Sequence, residues 1–80
     1  FLAVIKITGI DTSGIAGEIA TLIAKEEKVS MRMIHFDTRD GIFEGIIHLY
    51  VHNTADLNNI VSRIFQVKGV ENVMRIEAEN

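Results

Sequence analysis

The residues best equipped for chemistry in this chain are Gly9-Ile10-Asp11-Thr12-Ser13-Gly14, which lie between the apolar run Leu2 to Ile7 and the periodic stretch Ile15 to Ile23. A strand that feeds a helix through a short glycine-flanked loop directs free backbone N–H groups and the positive end of the helix dipole at one spot, where a small anionic ligand can sit. A plainer alternative stays open from these residues alone. Gly9 and Gly14 can serve only to turn the chain tightly, with Thr12 or Ser13 capping the helix.

Other chemistry finds little support. His48 and His52 are four apart on a strand pattern, roughly 13 Å at about 3.4 Å per residue, so they cannot share one ion. A site pairing one of them with His35 or Glu44 is conceivable by distance, but exposed histidines on a sheet are more often solvated or interfacial, and no metal site is assigned. Neither Ser13, Ser30 nor Ser62 sits in a recognisable nucleophile elbow, and no carboxylate pair is clearly placed in an apolar pocket. With no cysteine in the chain, disulfides, thiolate zinc sites and Cys nucleophiles are excluded. The expectation is a segment that is not an enzyme and holds no cofactor.

The elements that must position the loop follow from periodicity. Leu2 to Thr8 reads as a strand ended by Gly9. Ile15, Ile19, Leu22 and Ile23 share one face of a helix, with Glu18, Lys25, Glu26 and Glu27 largely off that stripe. Val29 to Thr38 and Ile42 to His52 read as two strands joined at Asp40-Gly41, a pair suited to the positive φ angles of a type I′ hairpin turn. Asn53 or Thr54 caps a second helix with the stripe Leu57, Ile60, Val61 and Ile64, and Gly69 falls past its end. A last strand runs from about Val70 to Ala78. The order β-α-β-β-α-β predicts an α+β, ferredoxin-like sandwich: a four-stranded antiparallel sheet with both helices on one face.

That arrangement leaves the other sheet face open. Ile42, Glu44, Ile46, His48, Tyr50 and His52 should point to it. A two-residue turn at Asp40-Gly41 adds Met31, Met33 and His35 from the preceding strand, with Met33 opposite His48 and Met31 opposite Tyr50. Met31, Met33, Ile46, His48 and Tyr50 are the expected interface residues, because such a surface is too apolar for an indifferent solvent face. Its occupant is either a second copy or another part of a longer protein.

With 80 residues, 48% of them apolar, the chain is one small domain of marginal stability alone. Its net charge of −3 and singly scattered Lys and Arg residues argue against strong nonspecific binding to nucleic acid. No apolar stretch approaches the roughly 20 residues that span a bilayer, and the given sequence shows no basic start followed by an apolar signal segment. The chain reads as cytosolic. It starts at Phe1, inside a strand pattern and without an initiator Met, and so is expected to be a segment, residues 1–80, of a longer protein.

Two families share the topology. Gly41-Ile42-Phe43-Glu44-Gly45-Ile46 superficially resembles the central strand of RNA-recognition modules, yet it sets Glu44 and Ile46 on the open face where stacking aromatics belong. By contrast, Ile7-Thr8-Gly9-Ile10-Asp11-Thr12-Ser13-Gly14-Ile15, the hairpin Asp40-Gly41-Ile42-Phe43-Glu44-Gly45 and the ending Val67-Lys68-Gly69-Val70-Glu71-Asn72-Val73-Met74-Arg75-Ile76 together resemble an ACT domain. The hairpin and the ending look most like the C-terminal ACT domain of RelA/SpoT-type enzymes, which make or hydrolyse guanosine tetra- and pentaphosphate. Ser13 stands where ACT loops commonly carry Pro, so the loop loses a fixed φ and gains a hydroxyl.

The resemblance implies a regulatory domain that pairs, often side by side into a continuous sheet, and that binds an amino acid at the first loop. Asp11, Thr12, Ser13, Gly14 and Ile15 match the family's ligand positions. N–H groups near Ser13 to Ala16 suit a carboxylate, Asp11 suits an ammonium group, and Ile15 suits an apolar side chain. It also implies, through the parent, contacts with other domains and with ribosome or RNA.

Overall fold

A computed structural model describes residues 1–76. The elements are β1 (Leu2–Ile10), α1 (Ile15–Ala24), β2 (Val29–Arg39), β3 (Ile42–Val51), α2 (Thr54–Phe65) and β4 (Val70–Ile76). They form one antiparallel sheet in the order β2-β3-β1-β4, the ferredoxin-like arrangement that the sequence pattern predicts. β1 continues past Thr8 because Gly9 and Ile10 still pair with Phe43 and Ile42. The expected end of the last strand, Ala78, lies outside the described residues.

The core forms where the helix stripes meet one sheet face. Ile15, Ile19 and Ile23 of α1 and Leu57, Ile60 and Ile64 of α2 are buried against Ala3, Ile5 and Ile7 of β1 and Phe43, Ile47, Leu49 and Val51 of β3. Burying each of these larger side chains contributes about 1.5–3 kcal/mol, and alternation along β1 and β3 supplies them at every second position. Asn53 caps α2, its side-chain oxygen accepting from the Asp56 N–H at 2.8 Å.

The β2–β3 turn is the two-residue loop expected, with φ of 53° at Asp40 and 79° at Gly41 and with Arg39 paired to Ile42. Met33 faces His48 as expected. Met31 does not face Tyr50. A bulge at Arg32 shifts the register, so Met31 pairs with Leu49 and Ser30 with Tyr50. One extra residue inverts the alternation beyond it, which puts Met31 in register with a core position instead of the open face. Arg32 takes the open-face place, its guanidinium 4.8 Å from the centre of the Tyr50 ring. Opposite Phe36, Gly45 leaves the room that the ring occupies: a Cβ there would come within 2.9 Å of it. The ring lies tilted on Phe43, centroids 5.2 Å apart.

Candidate ligand-binding loop

Three connections converge on the segment from Gly9 to Ile15. The Ile10 N–H donates to the Gly69 carbonyl at 2.8 Å, the Asp11 N–H donates to the Gly41 carbonyl at 3.0 Å, and the Thr12 hydroxyl donates to the Lys68 carbonyl at 3.2 Å. The loop is therefore tied to both the β2–β3 turn and the α2–β4 turn. Gly9 permits the second of these contacts, since a Cβ there would overlap the Gly69 carbonyl oxygen. Gly69, at φ 99°, is the turn residue before β4 and no cap of α2, whose end is closed by Gln66 and Val67 N–H groups donating back to Arg63 and Ile64.

The start of α1 differs from the capped helix that Thr12 or Ser13 would give. Gly14 occupies the N-cap position at φ 81°, with no side-chain cap. Thr12 is drawn away by Lys68, and a left-handed residue at the cap suits glycine alone. The Ile15 N–H reaches the Thr12 carbonyl at 3.3 Å. Among the described residues no protein acceptor meets the N–H groups of Ala16 and Gly17. They are available to an anion, in the positive field of the helix start.

An open groove of about 330 Å³ lies at this helix start. Asp11, Thr12, Gly14 and Ile15, four of the five positions singled out in the sequence, line it. Ser13 is exposed and lies outside the lining, while Ile15 is buried, so that only an edge of its side chain forms the floor. The opposite wall is Phe36, Asp37 and Thr38 from the edge strand β2, with Phe43 beneath. These wall residues were missed in the sequence. Gly45 was their signal, because a glycine inside an alternating strand marks a place where a neighbour approaches closely. The groove thus combines free N–H donors, two exposed carboxylates at Asp11 and Asp37, an aromatic wall and an unpaired strand edge. Such a set complements a small zwitterion with an apolar side chain.

The histidines form no comparable cluster. His48 pairs with Val4 and Met33, and His35 with Ile46, on the opposite sheet face. Among the described residues no group of three His, Cys, Asp or Glu side chains is placed to hold a metal ion.

The ACT-domain family model matches residues 1–75. This chain is an ACT domain. The crystal structure of the ACT domain from the GTP pyrophosphokinase of Chlorobium tepidum superposes on it with a TM-score of 0.88 and 34% sequence identity, covering 95% of this chain and 97% of that one. The solution structure of the same domain gives a TM-score of 0.86 at 33% identity, over 99% of this chain and 89% of that one. The small subunit of acetolactate synthase from Thermotoga maritima shares the fold, with a TM-score of 0.80 at 14% identity over 96% of this chain and 48% of that one. Comparison with curated proteins returns no match. ACT domains are generally regulatory, ligand-binding and non-catalytic, and they commonly dimerise. No helix among the described residues is long and apolar enough to cross a membrane.

Proposed function

We propose that this ACT domain is the non-catalytic regulatory part of a RelA/SpoT-type enzyme of guanosine tetra- and pentaphosphate metabolism in the cytoplasm. In this reading it binds an amino acid in the loop groove and thereby controls the catalytic half in the stringent response. The observation that carries this reading is the 34% identity, over nearly the whole of both chains, to the ACT domain of a GTP pyrophosphokinase. The groove supports the ligand class. The N–H groups of Ala16 and Gly17 take the carboxylate, Asp11 takes the ammonium group, and Phe36 flanks the side chain.

Calorimetry of the domain against the twenty amino acids tests the ligand. Saturable binding to at least one of them, lost in Asp11→Ala, is the expected result. Pyrophosphate transfer from ATP to GTP by the isolated domain would contradict the assignment of a non-catalytic part. A second reading, a macromolecular interaction module for ribosomal RNA or another domain of the parent, is favoured by the apolar open face and by Ser13, which leaves the loop less preorganised than Pro would. Silence against every amino acid, with binding to a parent domain or ribosome retained, selects it.

A further inference from the structure

On the open sheet face, the strand register sets one thioether beside two imidazoles. Met33 pairs directly with His48 across β2 and β3, and His35, paired with Ile46, follows Met33 two residues along β2. Alternation keeps the three on one face, because Ile34, between Met33 and His35, and Ile47, next to His48, belong to the core side. Directly opposed residues have Cβ atoms about 4.5–5.5 Å apart, diagonal neighbours about 7–8 Å, and residues two apart on one strand about 7 Å. Met33, His48 and His35 therefore mark the corners of a triangle small enough for the sulfur and a nitrogen of each ring to converge above its centre.

We propose that Met33, His35 and His48 form a binding site for a soft monovalent metal ion, copper(I). By themselves the histidines make no metal site; the thioether completes the set and chooses the metal. Three neutral donors, one sulfur and two imidazole nitrogens, suit a soft ion of low charge. A harder divalent ion needs a thiolate or a carboxylate as the further ligand. The chain has no cysteine, and among the described residues no third His, Asp or Glu is placed with the two histidines to hold an ion. The neighbouring cations point the same way. Lys6, in the row of His35 and Ile46, lies 4.0 Å from Glu44, and Arg32, which precedes Met33, sits over the Tyr50 ring. Neither offers a lone pair to a metal, and both repel a divalent ion twice as strongly as a monovalent one.

The bulge at Arg32 decides which methionine serves. It takes Met31 out of the open face and into register with Leu49, while Met74 stands on β4, on the far side of Lys6. Val4, buried, flanks His48, and Ile46 lies across from His35, so apolar side chains border the three donors and limit the water around them. The site lies on the sheet face opposite the loop groove and stands or falls independently of amino-acid binding there.

Anaerobic titration of the chain with copper(I), in competition with a chromogenic copper(I) chelator, tests the site. One equivalent is expected to bind. Met33→Leu and His35→Asn, both at exposed positions, are each expected to weaken binding about 10-fold or more, at least the loss that an outer-shell partner of a metal ligand carries. His52→Asn, four residues beyond His48 and outside the triangle, is expected to leave it unchanged. Silver(I), a diamagnetic monovalent substitute, should shift the NMR signals of the Met33 methyl group and of the His35 and His48 rings but not those of His52. Circular dichroism confirms the fold of each variant, and should one not fold, the silver(I) shifts of the wild-type chain decide. No binding of copper(I), a folded Met33→Leu or His35→Asn chain that binds like wild type, tighter binding of zinc(II) than of copper(I), or silver(I) shifts that miss these three residues overturns the proposal.

Discussion

Gly69 shows how one missing side-chain atom organises the site. A Cβ there would lie 2.7 Å from the Thr12 hydroxyl and 3.0 Å from the Ile10 carbonyl, in a backbone conformation at φ 99° that already disfavours any other residue. Gly14 has the same conformational demand but open space around it. The comparison separates strain from crowding. Gly14→Ala should cost about 1–2 kcal/mol, the penalty of a left-handed residue, whereas Gly69→Ala should cost about 3 kcal/mol or more, because the loop must also move away from the turn. Urea unfolding of the two variants measures both, and equal losses would show that the contact between loop and turn carries no energy. Gly14 could be read in the sequence as a turn residue, whereas Gly9 stays within β1 and is needed for its close approach to the Gly69 carbonyl. The tie between the loop and the turn at Gly69 could not be read, since nothing local joins Thr12 to Lys68, 56 positions away.

At the level of elements, alternation and periodicity made both helix faces and the faces of β1 and β3 legible, and Asp40-Gly41 located the hairpin. The bulge at Arg32 escaped, because an extra residue in an edge strand has no composition of its own. Only its effect on register shows where the open face receives Arg32 in place of Met31. The wall of the ligand groove escaped for a related reason: Phe36 reaches it across Gly45, a contact between strands that neither strand announces. Gly45→Ala tests that contact. Its Cβ would lie 2.9 Å from two atoms of the Phe36 ring, well inside ordinary packing, so the ring must shift. The expected loss is about 1–3 kcal/mol of stability from overpacking, together with weaker binding of the amino acid found by calorimetry. Unchanged affinity in a folded variant would remove Phe36 from the ligand site.

The whole molecule divides its labour between two sides of one sheet. The helix side holds the core and, at one end, the groove; the open side holds none of the main apolar cluster. Stability and ligand binding should therefore respond to different residues. A domain of this size has only about 4–12 kcal/mol of stability, so Ile60→Ala, which empties a fully buried position beneath α2, should remove about 2–5 kcal/mol and lower the melting temperature strongly. Asp11→Ala changes an exposed side chain whose backbone N–H still donates to Gly41, and its melting temperature without ligand should match wild type. Ligand at about 100 times its Kd stabilises a binding-competent chain by about 2.7 kcal/mol, which for a domain of this length is a rise of roughly 10 °C or more. Ile60→Ala, where still folded, should keep that rise from its lower baseline, and Asp11→Ala should lose it from an unchanged one. Thermal scans with and without the amino acid distinguish the four cases. A full rise in Asp11→Ala would move the binding site away from the loop, because a ligand that ignores Asp11, the carboxylate on the loop side of the groove, is not held there by its ammonium group.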